Sequence, residues 1–279
     1  NVRNSRVYYN NTDGKSTQGD FLINYDRTFG DHQIGAMVGG EASEVYNTFT
    51  RLAYEQTGKD YLGDYRTAGQ LSLSNSQATK VEGGTLSYFG RLNYSFKQKY
   101  LFQFILRSDA STKFGPGNTV GYFPSFTAGW VVSDESFFGE PKFINFLKLR
   151  ASYGTLGNDQ IPNFGYLGLL NGEATYVFNG TLGNGTAMGQ VPNPDLKWEV
   201  VTQYNLGLDF NLWNDALYGT LDYFNKTTTD AILNVPSQAL SPTTTIWTNI
   251  DGKIINKSEY KADKKHGLSQ TFSGDQVTT

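Results

Sequence analysis

Along much of the chain apolar and polar residues take turns, one for one. Between residues 85 and 96, Leu86, Tyr88, Leu92, Tyr94 and Phe96 occupy one phase, and Thr85, Ser87, Arg91, Asn93 and Ser95 the other. After Lys97-Gln98-Lys99 the alternation resumes over 100–109, with Tyr100, Phe102, Phe104 and Leu106 opposite Gln103, Arg107 and Asp109. Side chains of a strand point to alternate faces, so the pattern predicts strands with two unlike faces. The short polar pause predicts a hairpin between them.

The same reading predicts strands at 20–29 (Phe21, Ile23, Tyr25 and Phe29 in phase), 33–44 (Ile34, Ala36, Val38), 123–133 (Phe126, Ala128, Trp130, Val132) and 146–154 (Leu147, Leu149, Ala151, Tyr153). Further strands fall at 196–210 (Trp198, Val200, Tyr204, Leu206, Leu208, Phe210), 216–231 and, more weakly, 247–258. Ser133-Asp134-Glu135-Ser136 reads as a capped helical turn, with the two acids as cap and dipole partners. The tail from 260 is polar and unpatterned.

Two regularities narrow the fold. Connections alternate between short (30–32, 97–99, 134–145, 211–215) and long (45–80, 110–122, 155–194, 232–246). A meander would then carry its short turns at one end and its long loops at the other, the asymmetry of outer-membrane barrels. In addition, from 85 to 210 the apolar phase of the strands carries no Lys, Arg, Asp or Glu, whereas the other phase holds Arg91, Arg107, Asp109, Lys148, Arg150, Lys197, Glu199 and Asp209. A midplane Arg or Lys costs about 2–4 kcal/mol on a lipid-facing strand, so lipid would impose this segregation.

The expected fold is therefore all-β: an antiparallel up-and-down transmembrane β-barrel segment of eight to nine strands. Its lipid-facing residues would be Leu86, Tyr88, Leu92, Tyr94, Phe102, Phe104, Leu106, Trp130, Leu147, Leu149, Tyr204, Leu206 and Leu208. Its lumen-facing residues would be Arg91, Asn93, Gln103, Arg107, Lys148, Arg150, Gln203 and Asn205. A soluble β-sandwich also buries one face and stays open on pattern alone. Strands of this length count against it, since sandwich strands usually run about 5–6 residues and tilted membrane strands about 9–11.

Composition removes other classes. The 279 residues include no cysteine and only two histidines, His32 and His266, so neither thiolate nor His-based metal chemistry is expected. The net charge of −3 argues against nucleic-acid binding. The chain has no apolar run long enough for a membrane helix, which leaves barrels untouched. No basic end followed by an apolar stretch opens the sequence, so a leader was removed or the chain starts inside a longer protein.

The order and spacing of several blocks resemble the SusC/RagA-like TonB-dependent outer-membrane transporters of Bacteroidota. These blocks are GRLNYSFKQKYLFQF and RSDASTKFGPGNTVGYFPSFTAGWVVSDESF within 90–137, INFLKLRASYGTLGN (144–158), NPDLKWEVVTQYNLGLDF (193–210), LDYFNKTTTDAIL (221–233) and NIDGKIINK (249–257). The resemblance implies that residues 1–258 form part of a larger barrel, of about 22 strands, from its middle to later part. Residues 259–279 would be a disordered or truncated tail. It also implies a bacterial outer-membrane location and import of oligosaccharides or peptides. A SusD-like surface lipoprotein would assist, and the TonB complex would act through a plug domain outside this chain. No catalytic residue and no cofactor is expected. A small self-contained barrel acting as an adhesin or passive pore is the rival in the same fold, and a soluble carbohydrate-binding sandwich the rival outside it.

Binding, if in the loops, would use aromatics that stack on sugar rings or peptide side chains: Tyr46, Tyr54, Tyr61, Tyr65, Phe164, Tyr166, Tyr176 and Phe178. The plainer reading is that they pack the loops. Asp109 would start the DASTKFGP loop by accepting backbone N–H groups. Asn193-Pro194-Asp195 would turn the chain into the next strand, and Trp198 would anchor it at the membrane interface.

Overall fold

The computed structural model describes residues 6–55, 70–139, 143–237, 244–260 and 272–278. Thirteen strands form one sheet: β1 (Arg6–Phe29), β2 (His32–Glu55), β3 (Gln70–Leu71), β4 (Gln77–Phe96), β5 (Tyr100–Ser111), β6 (Val120–Val131), β7 (Ile144–Asn158), β8 (Leu169–Phe178), β9 (Thr181–Gln190), β10 (Glu199–Leu212), β11 (Leu217–Pro236), β12 (Thr245–Tyr260) and β13 (Phe272–Thr278). The spatial order is β1-β2-β4-β5-β6-β7-β10-β11-β12-β9-β8, with β13 paired to β12 and β3 to β2. From β5 through β7 and β10 to β13 successive neighbours pair antiparallel, as do β8 with β9 and β2 with β3, and Thr245 meets Gln190 in a parallel bridge.

The nine expected strands are all present, and four further strands fall in stretches read as loop or tail. β1 and β2 extend by many residues into polar sequence, and β4 begins at Gln77, so the described residues of the long loop expected over 45–80 are mostly strand. Ladder hydrogen bonds satisfy the backbone whatever the side chains are, so polar strands can continue past the amphipathic region. The hairpin β8–β9 lies inside the expected 155–194 loop and turns on Asn179 (φ 53) and Gly180 (φ 76). An Asn-Gly pair is a strong short-range hairpin signal, because both central residues of a type I′ turn need positive φ. The stretch expected as a tail carries the end of β12 and β13.

Contacts divide the chain into two units. One comprises Asn1–Gly19 and Ala42–Thr85, the other Asp20–Glu41 and Leu86–Thr279. In the first, Ala53 is fully buried and its N–H donates to Ser76 Oγ at 3.1 Å. Arg51 lies over the rings of Tyr8 (5.6 Å) and Phe49 (5.5 Å) and donates to Asn10.

The second unit inverts the usual burial. Leu86, Tyr88, Leu92, Phe102, Phe104, Leu106, Phe126, Leu149, Tyr204 and Leu206 are all exposed large apolar residues. The residues between them, mostly polar, are the more sheltered set: β5 alternates exposed Phe102, Phe104 and Leu106 with half-buried Gln103, Ile105 and Arg107. A soluble sandwich calls for the opposite arrangement, with the large apolar rows sheltered.

Register carries this alternation across strands. Phe102 faces Ala128, Ala128 faces Ala151, Ala151 faces Leu206, and Leu206 faces Tyr223. Tight turns hold the register at the short-turn end. Lys97 (φ 51) and Gln98 (φ 56) are both left-handed, closed by Lys99 N–H to Phe96 C=O at 3.0 Å. Lys97 N–H also bonds Asp31 C=O of the neighbouring turn at 2.7 Å. The 132–143 connection differs from expectation: Val132–Asp134 is a 3-10 turn with no side-chain cap.

At the long-loop end a compact core forms from Phe114, Ile161 and Leu196, with Tyr166, Trp198, Ile232 and Trp247 against it. Trp198 precedes β10 rather than sitting within it. It stacks near Phe114 (4.9 Å between centroids), meets Phe123 edge-on (5.5 Å) and donates Nε1–H to Thr119 C=O (3.2 Å). This corrects its expected role as an interfacial anchor, because its polar tip is satisfied by backbone within the core. Phe123 in turn lies on a floor of Gly121 and Gly157, where a Cβ on Gly157 would sit 2.0 Å from the ring.

Gly157→Ala should therefore displace Phe123 and lower stability by about 1–3 kcal/mol. Gly19→Ala, with nothing within 4 Å of the added carbon, should be silent in the same thermal denaturation assay. A silent Gly157→Ala would show that the aromatic stack is not closely seated.

Candidate functional site

The charged phase of the second unit forms a continuous polar wall. Across β7, β10 and β11, Arg150 faces Gly207, and Gly207 faces Asp222. Glycine at this position matters, because a Cβ would lie 2.7 Å from Arg150 Cζ and Asp222 Oδ1. The guanidinium thus crosses the β10 backbone to reach both neighbours. Its Nε and one terminal nitrogen donate to Asp209 (2.8 and 2.9 Å), and that terminal nitrogen also reaches Asp222 at 3.2 Å. Thr220 Oγ1 donates to Asp209 at 3.0 Å.

Toward β4 the wall is amide-rich. Gln103 Nε2 donates to Asn93 Oδ1 at 2.8 Å. Asn93, Gln103, Lys148 and Arg150 line one cleft with Asp26, Gln33, Thr127 and Gly129. Arg107 donates to both carboxylate oxygens of Asp109 (2.7 and 2.8 Å) and to Ser87 Oγ (3.1 Å). Asp109 is therefore an ion-pair partner within β5, not the expected acceptor of loop N–H groups. Its register position puts it beside Arg107 on the charged phase before the loop begins. Arg91 and Asn205 share that phase, and each keeps a polar atom out of water, Arg91 Nε and Asn205 Oδ1, without a partner among the described residues. Gln203 faces Gly154 and Lys226.

The blocks of sequence singled out above converge at the long-loop end. Asn249 Nδ2 donates to the carbonyls of Lys197 (2.9 Å) and Asp230 (2.8 Å), and its Oδ1 accepts Lys197 N–H (3.0 Å). Lys197 Nζ closes the set on Asp230 at 2.9 Å. Asp230 has φ 54 at a register shift between Thr229 and Ala231, so a β-bulge turns its carbonyl toward Asn249. Glu199 links three strands, accepting Asn158 Nδ2 and the N–H of Ile232 at 3.0 Å each. Asp159 accepts Ser111 Oγ at 2.9 Å and pairs with Lys113 at 3.4 Å. Asn193 makes the expected turn: its Oδ1 takes Asp195 N–H (3.2 Å), and its Nδ2 reaches Trp247 C=O (2.8 Å). These side chains build a rim, and sequence reading missed the contacts because the partners lie dozens of residues apart.

Residues 1–257 match the family model described as TonB dependent receptor-like, beta-barrel. The chain belongs to this family. It is 36% identical over 220 residues to the TonB-dependent receptor SusC of Bacteroides thetaiotaomicron, covering 77% of this chain and 21% of that protein. It is 32% identical over 241 residues to TonB-dependent receptor P39 of Formosa agariphila, covering 86% of this chain and 23% of that receptor. Among solved structures it superposes on the RagAB peptide transporter with TM-score 0.71 and 26% identity, over 91% of this chain and 27% of that one. It thus corresponds to part of a SusC/RagA-like barrel domain, in the family of TonB-dependent outer-membrane transporters. The chain spans about a quarter of the length of these relatives or less.

Within the TonB-dependent receptor chain, the aromatic binding candidates scatter. Tyr46 and Tyr54 are in the first unit and on strand β2, not on a loop. The Lys80 ammonium sits 5.2 Å from the Tyr46 ring centroid. Tyr166 packs on the rim core, which favours the loop-packing role. Phe164 (φ 61) and Phe178 are exposed; Phe178 closes β8 as a strand residue. Tyr61, Tyr65 and the side chain of Tyr176 lie outside the described residues.

At the short-turn end Glu135 organises a second cluster. It accepts hydrogen bonds from Tyr100 and from Trp130 Nε1 (3.1 Å), with Lys99 at 3.9 Å. Lys99 also bonds Asp134 C=O. The bonds from Tyr100 and Trp130, then the nearby lysines, hold the Glu135 carboxyl below its ordinary value.

A carboxyl whose folded pKa is depressed contributes stability above its ordinary range and loses it as pH falls through the lowered value. Acid should therefore weaken the tie between the 97–99 and 132–143 turns only below the usual carboxylate range, and Glu135→Gln should remove that part of the pH dependence. Heat-induced unfolding followed against pH, wild type beside variant, measures this; parallel profiles would contradict it. At the rim, fully buried Leu196 replaced by Ala should cost about 2–5 kcal/mol. Limited proteolysis should then cut the connections 159–168 and 191–198 while the strands stay protected.

Proposed function

We propose that this chain supplies barrel wall, lumen lining and outer loops to an outer-membrane TonB-dependent transporter that imports oligosaccharides or peptides. The observation that carries the reading is the inverted burial of the second unit: apolar rows exposed, charged rows sheltered and bonded to each other. Lipid is the solvent that accepts such a surface, because a charge on that face costs about 2–4 kcal/mol at the midplane. Leu86, Tyr88, Leu92, Tyr94, Phe102, Phe104, Leu106, Trp130, Leu147, Leu149, Tyr204, Leu206 and Leu208 then face lipid. Arg91, Asn93, Gln103, Arg107, Lys148, Arg150, Gln203 and Asn205 line the lumen.

In this reading the short turns are periplasmic and the rim is extracellular. A cargo chain passing the wall would meet amides and paired ions, groups that exchange hydrogen bonds with sugar hydroxyls or peptide groups. The solved RagAB transporter, a peptide transporter, supports cargo of this general kind. A SusD-like surface lipoprotein would meet the rim and loops. TonB would act through a plug domain outside this chain, and cargo would pass with no bond made or broken.

Adjacent residues on β5 test the assignment. Phe104→Arg should block assembly in the outer membrane, with a penalty of about 2–4 kcal/mol, whereas Gln103→Arg should assemble normally. Heat-modifiable gel mobility of the transporter in isolated outer membranes reads both. Equal effects would undo the assignment of faces.

A further inference from the structure

The charged phase of the second unit is not evenly charged. Two neighbouring rows that cross it from β4 to β11 carry no acid. The first is Asn93, Gln103, Thr127, Ser152 and Asn205, joined by the Asn93–Gln103 bond and then by register. It holds amides and hydroxyls alone. The second runs through Ile105, Ser125, Gly154 and Gln203 to Lys226. Arg91 opens this row on β4. Asn93 meets Gln103, and the Arg107 guanidinium lies 5.6 Å from the Phe89 ring. Arg91, midway between Phe89 and Asn93 in the same phase, therefore stands beside Ile105. On β2 a Cβ added to Gly35 would touch Asn93, and one added to Gly39 would touch Phe89. That sets Met37 on the other side of Arg91.

A guanidinium between two apolar positions has no acceptor beside it. Arg91 Nε is shielded from water and has no partner among the described residues. The other arginines of this wall are treated differently: Arg107 is paired with Asp109, and Arg150 with Asp209 and Asp222. Where a sheltered charge serves the wall alone, the wall supplies its counter-ion. At the far end of the row Lys226 faces Gln203 on β10. Among the described residues neither Arg91 nor Lys226 has an ion-pair partner. Asp26 lies over Gly35 and lines the neighbouring cleft with Lys148. Asn205 Oδ1, in the neutral row, is a shielded acceptor without a donor.

We propose that this band is a specificity site for acidic cargo, with Arg91 the residue that takes a cargo carboxylate and Lys226 a second positive end. This rests on the reading of the charged phase as the lumen of a transporter. A guanidinium binds a carboxylate through two parallel N–H donors. Between Met37 and Ile105 those donors meet no competing acceptor of the wall. Ser125, Gln203 and the neutral row offer donors and acceptors to hydroxyls or amides that flank the carboxylate, and no acid within the band repels it. Five strand spacings separate Arg91 from Lys226, about 24 Å along the sheet at 4.8 Å each. The two cations therefore take separate carboxylates of one extended chain. Uronate-bearing oligosaccharides and acidic peptides share this chemistry, whereas neutral glycans and basic peptides lack it.

The test uses the complete transporter, plug included, purified in detergent. Calorimetry titrates two pairs of probes: hexagalacturonate with its methyl ester, and a glutamate-rich octapeptide with its glutamine counterpart. One acidic probe should bind more tightly than its neutral twin, and which one it is tells whether uronate or peptide carboxylate is the source. Arg91→Gln should weaken that probe by about 10- to 100-fold and leave the neutral twin unchanged. Arg91→Lys should recover part of the loss, because it keeps the charge and loses the fork. Lys226→Gln should also lower the preference. Heat-modifiable mobility should match wild type in all three variants. Twins bound alike, or acidic probes not bound at all, overturns the site. So does Arg91→Gln with binding intact and cells sensitised to vancomycin, since the counter-ion is then an acid of the plug. Failure of the lumen assignment itself shows separately, as equal assembly of Phe104→Arg and Gln103→Arg.

Discussion

A strand shows its side chains to alternate faces, and in a membrane sheet one of those faces meets a solvent that rejects charge. The arrangement therefore depends on register. A slip of one residue between β7 and β10 would put Arg150 on the opposite face of the sheet from Asp209 and Asp222. The pairing observed keeps Leu149 against Leu208 and Ala151 against Leu206, so charge-free positions form unbroken rows. Short turns enforce this at one end. Lys97 and Gln98 accept left-handed conformations there without glycine, a strain of order 1–3 kcal/mol each, offset by neighbouring pairing and by the bond from Lys97 N–H to Asp31.

Electrostatics then act within the sheltered face. Arg150 across Gly207 is a guanidinium laid flat on a strand and met by carboxylates on either side. Removing the arginine would leave two acids facing each other; removing one acid leaves a charged group still partly paired. Such a network is stabilising only as a whole. The same logic holds the rim, where Glu199, Asn249 and Asp159 each tie together segments far apart in sequence.

The two faces have opposite relations to function. In the proposed transporter the charge-free rows would set where the sheet resides, and the charged rows what can move along the wall. The aromatic residues of the long-loop end are divided between these roles and a third one, packing. Tyr166 and Trp198 are committed to the core, whereas Phe164 and Phe178 remain exposed.

The period of two, the absence of charge from one phase and the alternation of short and long connections were legible in the chain itself. They are local properties, imposed position by position by the solvent each face must meet. From them the strands from Thr85 to Asn211 and the all-β fold class follow. The polar halves of β1 and β2 were not legible, because their backbone ladder is satisfied by neighbours rather than by side-chain pattern. The β8–β9 hairpin was signalled by Asn179-Gly180 but hidden by weak alternation around it. Tertiary structure alone decided the rim contacts, the Glu135 cluster and the bridge across Gly207. Each joins residues from different strands, and only pairing across the sheet brings such partners within reach of one another.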